Sequence, residues 1–234
     1  MEHILDGFLA WLSPYRIVQN RGNYWVLSCS NSHRDCGTVG HAVQSLQEVE
    51  GHMIKEILLI AISALVIGIS RKSLLRPKSH GFYRFFAWEA TAVLLYLNSG
   101  QWFRDPFAPR QLVSWLLLTL SLAALVFSVI SLKAVGKPES AIDDPTRIGI
   151  EKTTVLVTVG IYRYIRHPLY ASVLLLAWGT SLKSMSWLSL LLAPAVTALI
   201  LVTAKVEEAE DVRLFGQSYT RYMKKTKMFL PFLF

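Results

Sequence analysis

Five apolar runs leave this chain few ways to fold: Ile54–Ser70, Phe82–Leu97, Leu112–Leu132, Leu169–Leu182 and Trp187–Ala204. A helix needs about 20 mostly apolar residues to cross the hydrocarbon core of a bilayer. Within that core every backbone N–H and C=O must find its partner inside the segment, so helices are the form such runs take. The first and fourth runs are short, and the fourth is expected to borrow Ser184–Ser186. The expectation is an all-α fold, a polytopic membrane bundle of about five transmembrane helices.

The charged residues fit the same picture. Apolar residues make up 53% of the chain, above the range of ordinary soluble domains, and the net charge is +8. Such a charge can mark a nucleic-acid binder, but none of the usual nucleic-acid motifs is present. The basic residues instead border the apolar runs. Arg71, Lys72, Arg76, Lys78 and Arg84 follow or flank the first loop. Lys133, Lys137, Arg147, Lys152, Arg163 and Arg166 follow the third run, and Lys205, Arg213, Arg221, Lys224, Lys225 and Lys227 occupy the tail. The opposite loops hold only Arg104, Arg110 and Lys183. Positive residues favour the cytoplasmic side, so the tail and the loops after the first and third runs are expected there. Trp102, Phe103 and Trp187 fit an outer interfacial belt.

Residues 1–52 differ from the rest, being polar and aperiodic around Ser28–Gly40. They lack the basic start and continuous apolar core of a signal peptide. Met53 directly precedes the first run, which divides the chain into a polar extension (1–52) and a membrane domain (53–234). The extension reads as an over-extended translation start or as an amphipathic anchor, with Ile4, Leu5, Phe8, Leu9 and Leu12 on one helical face. Both cysteines, Cys29 and Cys36, fall in it, so thiol chemistry is not expected in the membrane domain. The spacing of Cys29, His33, Cys36 and His41 matches no common zinc site, and no metal is expected.

One polar stretch stands out, Gly160-Ile-Tyr162-Arg163-Tyr164-Ile-Arg166-His167-Pro168-Leu169-Tyr170, set directly against the fourth run. Charge at a membrane edge is costly and calls for a reason. Pro168 suits the first turn of a helix, where its missing N–H costs nothing. The N-terminus of that helix adds a partial positive charge beside Arg166 and His167, so the segment can hold an anion. The plainer alternative is a basic cluster that only orients the protein. Glu207 and Glu208 come after the fifth run. Adjacent helical residues point about 100° apart, so one of the two is expected to face any site. The alternative is a solvated acidic start to a polar helix, with Glu210 and Asp211 continuing it.

Arg166-His167-Pro168-x-Tyr170, then Glu207-Glu208, Phe215-Gly216-x-x-Tyr219 and Leu230-Pro231, together resemble the isoprenylcysteine carboxyl methyltransferase family, which belongs with the phospholipid methyltransferases. The resemblance covers Leu156–Leu230. It implies an integral membrane enzyme that uses S-adenosylmethionine in a cytoplasm-facing pocket formed by the C-terminal half. It carries cofactor positions onto Thr154, Val155, Leu156, Val157, Tyr162, His167, Pro168, Leu169, Tyr170 and Glu207, with Arg147 at a weaker one. The implied acceptor is a lipophilic or small molecule bearing a carboxylate, thiol or amine, arriving from the membrane lipid. No obligate protein partner is implied.

One departure bears on the acceptor. Where prenylcysteine methyltransferases carry an arginine shortly before the acidic pair, this chain has Thr203. A threonine cannot replace a guanidinium as a carboxylate clamp. Arg166 is therefore the candidate for orienting substrate, with Thr203 and Glu89 as further substrate-side positions. Glu89 reads equally well as touching substrate, pairing with Arg84, or facing water. Phe215, Tyr219 and Met223 form a helical stripe that reads as core or membrane contact. No general base stands out. Two other classes stay open: a membrane reductase using a nicotinamide cofactor, and a non-enzymatic membrane scaffold.

Overall fold

The structure is a computed structural model that describes residues 15–20, 23–28, 33–135 and 155–231, with side chains from Val49 onward. Arg147, Thr154 and the amphipathic stretch Ile4–Leu12 lie outside the described residues. The chain divides into two compact units, Met1–Glu56 and Ile57–Phe234.

The first unit contains an antiparallel hairpin of β1 (Tyr15–Asn20) and β2 (Asn23–Ser28). The register runs from Tyr15 opposite Ser28 to Asn20 opposite Asn23. This hairpin is the exception to an all-helical reading, in a stretch that looked aperiodic. Helix α1 (His33–Leu74) begins in this unit and ends in the second.

The second unit is helical: α2 (His80–Asn98), α3 (Pro109–Val135), α4 (Pro168–Ser181), α5 (Trp187–Phe215) and α6 (Gln217–Lys225). The expected spans coincide with helices, save that the fourth ends at Leu182, one residue past its helix. Among the described residues, three stretches are long and apolar enough to cross a membrane: Val49–Leu74, Pro109–Val135 and Trp187–Phe215. Helix α4 has 14 residues, about 21 Å at 1.5 Å per residue, short of the roughly 30 Å core. Helix α2 is long enough but carries Arg84, Glu89 and Asn98 among its apolar residues. From Ile57 to Ile69, Ile57, Leu58, Ile60, Leu65, Ile67 and Ile69 are exposed. A continuous apolar face of this kind calls for lipid, and the chain is an integral membrane protein.

A second correction concerns α5. Its expected end at Ala204 is eleven residues early, because the helix runs on to Phe215. Ala204-Lys-Val-Glu-Glu-Ala-Glu is made almost wholly of strong helix formers. Nothing stops it until Gly216, whose φ of +57° suits a residue without a Cβ. Glu207 and Glu208 therefore lie inside the helix rather than beyond it.

Helix α2 packs along α5 and α3 along α4, while α4 also touches α2 and α5. The contacts are made by small residues, as expected where lipid tails give apolar side chains no reason to seek each other. Ala87, Ala177, Ala193 and Ala204 are fully buried. On α3 the buried face is a serine stripe, Ser114, Ser121 and Ser128, at a seven-residue repeat. Ser114 donates to the Gly179 carbonyl (2.6 Å) and Ser121 to that of Ser172 (2.7 Å). A Cβ on Gly179 would come within 3.0 Å of Leu118 Cγ, so glycine sets this helix spacing. Between α2 and α5, Asn98 donates to Ser189 Oγ (3.0 Å).

Candidate functional site

The polar stretch before α4 folds as a short 3₁₀ turn, Gly160–Arg163, followed by an extended Ile165–His167. Gly160 has a φ of +61°, and a Cβ there would sit 2.2 Å from Ser131 Oγ on α3. The turn can therefore press against α3 only through a glycine. The extended residues pair with the segment after α6. Arg166 N–H donates to the Lys227 carbonyl (2.8 Å), His167 N–H to that of Met228 (3.1 Å), and Lys227 N–H to that of Tyr164 (3.2 Å). Tyr222 of α6 adds a hydroxyl bond to the Tyr162 carbonyl (2.5 Å).

These contacts enclose a pocket of about 610 Å³ of empty space, counting its open mouth. Leu132 of α3, Leu156 and Val157 form one apolar wall. Tyr162, Arg166, His167, Leu169 and Tyr170 form the wall before and at the start of α4. Glu207, Asp211 and Phe215 line it from α5, and Tyr219 and Tyr222 from α6.

Charge is concentrated at the deep end. Arg166 Nε donates to Glu208 Oε1 (2.6 Å), and its Nη1 donates to the carbonyls of Met223 (3.2 Å) and Thr226. His167 lies beside both glutamates, with Nδ1 3.5 Å from Glu207 Oε2 and Nε2 3.4 Å from Glu208 Oε1. These separations are those of ion-pair neighbours rather than of short hydrogen bonds. Burial alone would lower the His167 pKa; the two glutamates outweigh it and raise the value to about 9. The ring is thus an imidazolium at neutral pH, stacked on Tyr170 with centroids 5.5 Å apart. Burial, together with neighbouring carboxylates, also pushes the Tyr219 hydroxyl well above its ordinary range, so it stays protonated.

The expected site residues divide clearly. Leu156, Val157, Tyr162, Arg166, His167, Leu169, Tyr170 and Glu207 meet at this pocket. Pro168 does not line it and is the first residue of α4. Val155 is half exposed and off the lining. Thr203 is fully buried one turn before Glu207, with its hydroxyl donating to the Leu199 carbonyl (2.7 Å), and it does not reach the pocket. Glu89 accepts from Ser63 Oγ (2.7 Å) on α1 and lies away from the pocket, while Arg84 sits over the Trp88 ring at 5.1 Å. Of the acidic pair, Glu207 lines the pocket and Glu208 turns to Arg166.

Sequence reasoning missed Leu132, Asp211 and Tyr222, and it read Phe215 and Tyr219 as core or membrane contact. Phe215 and Tyr219 are pocket lining, with Tyr219 almost fully buried. Asp211 was legible in principle, since it lies four residues after Glu207 and so on the same helical face. The role of Tyr222 needed the tertiary contact with Tyr162.

Residues 112–218 match the family model described as phospholipid methyltransferase. The chain is 34% identical over 76 residues to a methanethiol S-methyltransferase of Crocosphaera subtropica, covering 32% of this chain. It is 37% identical over 83 residues to a protein-S-isoprenylcysteine O-methyltransferase of Schizosaccharomyces pombe, covering 35% of this chain. It is 39% identical over 74 residues to methanethiol S-methyltransferase 2 of Bradyrhizobium diazoefficiens, covering 32% of this chain. The three alignments span 29%, 35% and 28% of those relatives' own lengths.

Proposed function

From a chain whose residues 112–218 belong to the phospholipid methyltransferase family, we propose a membrane methyltransferase that moves a methyl group from S-adenosylmethionine to a small or lipophilic acceptor. The observation that carries this reading is the pocket at Glu207, where a buried carboxylate and an imidazolium from two walls meet, with Arg166 and Asp211 beside them and aromatic and apolar residues around the rest.

The residues suit the donor. Its ammonium needs a carboxylate, its carboxylate needs a cation or N–H donors, and its adenine needs an apolar slot. Glu207 and Asp211 answer the first need, His167 the second, and Leu132, Leu156, Val157 and Phe215 the third. The tyrosines 162, 170, 219 and 222 offer ring faces, which attract a cation such as a sulfonium. When bound, the cofactor supplies an electrophilic methyl group on sulfur. The chain's contribution is position: in-line displacement rewards holding the reactants in register, worth several kcal/mol of the barrier. Phe215 and Tyr219, as apolar and aromatic lining, would limit water around the bound cofactor.

Arg166 takes a positioning role in this reading. Its guanidinium already holds Glu208 and two carbonyls beyond α6, so it fastens the C-terminal wall against α5. A carboxylate acceptor would need a cation of its own, but Arg166 is engaged by Glu208 and His167 is given to the donor's carboxylate in this reading. This favours an acceptor without a carboxylate, such as a small thiol or a neutral lipid group. Farnesylated N-acetylcysteine should accordingly be a poor substrate. The basic loops that follow α1 and α3 favour a pocket facing the cytoplasm.

The test is to incubate membranes holding the full chain with methyl-labelled S-adenosylmethionine and follow the label into volatile products, lipid and protein. Label in a volatile thioether or in lipid, absent with Glu207→Gln, supports the reading. Absence of transfer to any fraction, together with saturable binding of NADPH, overturns it in favour of a reductase.

A further inference from the structure

A second buried imidazole stands next to the acidic face of α5, from a different helix. His80 opens α2 and is fully buried. Its Nδ1 lies 2.5 Å from Glu210 Oε2, and its backbone N–H donates to Glu210 Oε1 at 3.3 Å. Ring and backbone thus grip the same carboxylate. His80 Nε2 is buried and meets no hydrogen-bond partner among the described residues. It is not part of the pocket lining.

Glu210 lies three residues after Glu207, so the two share a face of α5 and are neighbours one turn apart. Asp211, four residues after Glu207, adds a third carboxylate to that face. Like charges at these spacings repel, and burial strengthens the repulsion. Something must offset it. On one side stand Arg166 and His167; on the other, α2 presents His80. The groups that face His80 are Glu210 and Glu207 from α5 and Arg84 from its own helix. Burial alone would lower its pKa and Arg84 lowers it further, but the bond to Glu210 and the charges of Glu207 and Glu210 raise it on balance. The ring therefore holds its second proton more tightly than a free imidazole does.

We propose that His80, held by Glu210, is a positioning residue that fixes this turn of α5 and so keeps Glu207 in place, so that methyl-donor binding depends on a side chain outside the pocket. The proposal rests on the reading of Glu207 as a donor-binding residue. It makes α2 part of the working site, although the sequence signal for that site starts only after α3. Binding should weaken as pH rises through the His80 pKa, because loss of the imidazolium leaves Glu207 facing Glu210 and Asp211 without it. His167 adds to the same alkaline loss, so the His80 contribution is read by difference between variants.

Two measurements on the full chain in lipid nanodiscs test this. The first needs no ligand. Nitrogen NMR of the labelled histidine rings should show the His80 midpoint above that of a free imidazole, and lowered by Glu207→Gln and by Glu210→Gln. A midpoint indifferent to Glu207→Gln contradicts the coupling. The second is a mutant cycle on S-adenosylhomocysteine affinity. His80→Gln should weaken binding about tenfold in the native background and leave Glu207→Gln almost unchanged. Glu210→Gln, which preserves shape, should follow the same pattern if His80→Gln does not accumulate. Equal losses in both backgrounds would show a merely structural role and overturn the proposal. Intact coupling in the first measurement with no binding by the native chain would sustain the pair and refute the methyl-donor reading instead.

Discussion

Two buried clusters of charge in this protein solve the same problem in opposite ways. In the pocket, Arg166 and His167 meet Glu207 and Glu208. In the loop between α4 and α5, Lys183 is fully buried with no carboxylate beside it among the described residues. Its Nζ donates to Gln111 Oε1 (3.0 Å) and lies over the Trp115 ring at 3.5 Å and the Trp102 ring at 5.4 Å. Gln111 in turn donates to the carbonyls of Gln101, Arg104 and Lys183. Burial lowers the Lys183 pKa. One cluster matches charge with charge beside an open cavity; the other softens a single cation with ring faces and amides. The difference teaches how to separate function from architecture in a membrane bundle. A buried charge alone marks neither. Opposite charges arranged around empty space mark a site.

The largest effect should come from breaking the pocket's internal pairing. Arg166→Ala leaves Glu208 buried without its guanidinium and the Met223 and Thr226 carbonyls without their donor. Removing one partner of a buried ion pair costs about 3–5 kcal/mol. Chemical denaturation in detergent should show a loss of this size, with release of the segment after α6 to protease. A loss under about 1 kcal/mol would place the pair in the class of exposed salt bridges.

Gly160→Ala should come next. It combines strain at a φ of +61° with a Cβ 2.2 Å from Ser131 Oγ, and a strained backbone of this kind costs about 1–3 kcal/mol. Adding Ser131→Ala removes that oxygen and should recover part of the loss. No recovery would locate the whole cost in the backbone.

Lys183→Met sharpens the contrast from the other side. It keeps volume and apolar contact with Trp115 but orphans Gln111 Oε1, a cost of about 1–3 kcal/mol. Stability should fall while S-adenosylhomocysteine affinity stays at the native value. A joint fall would mean that the two clusters communicate.

The last effect is one of pH. His167 is raised in the folded protein to about 9 from an ordinary 6.5. The folded state therefore holds the extra proton between these values, so this contribution to stability is fully present below about pH 6.5 and is lost as pH rises through about 9. Thermal midpoints should decline across that window in the native chain and decline less in His167→Gln. A midpoint that rises across it would reverse the assigned charge state.

The parts of this protein legible in its sequence are those with local causes. The apolar runs and the Pro168 helix start depend on neighbours in the chain, and the helices lie where the runs lie. The end of α5 was misjudged because hydropathy stops at Ala204 while helix propensity continues to Gly216. Helix α4 has the hydropathy of a crossing helix without the length, which hydropathy alone does not reveal. At the site, Arg166 and His167 are conspicuous as charges at a membrane edge. What Arg166 binds was not legible, since Glu208, Met223 and Thr226 reach it only through the fold. The same holds for His80: nothing local separates it from any histidine in a basic loop until α2 is laid against α5. Thr203 shows the converse. Its position near the acidic pair suggested contact with substrate, but its rotation on α5 sends it into the helix packing, where an introduced arginine would find no space.

The central claim is that Glu207 makes this pocket a methyl-donor site. Isothermal titration of S-adenosylhomocysteine into the full chain, native against Glu207→Gln and Glu208→Gln at pH 7, tests it most directly. The account predicts saturable binding by the native protein and a loss of at least about tenfold, roughly 1.4 kcal/mol, in Glu207→Gln, with a smaller loss in Glu208→Gln. Native affinity in Glu207→Gln, or equal losses at both positions, would contradict it.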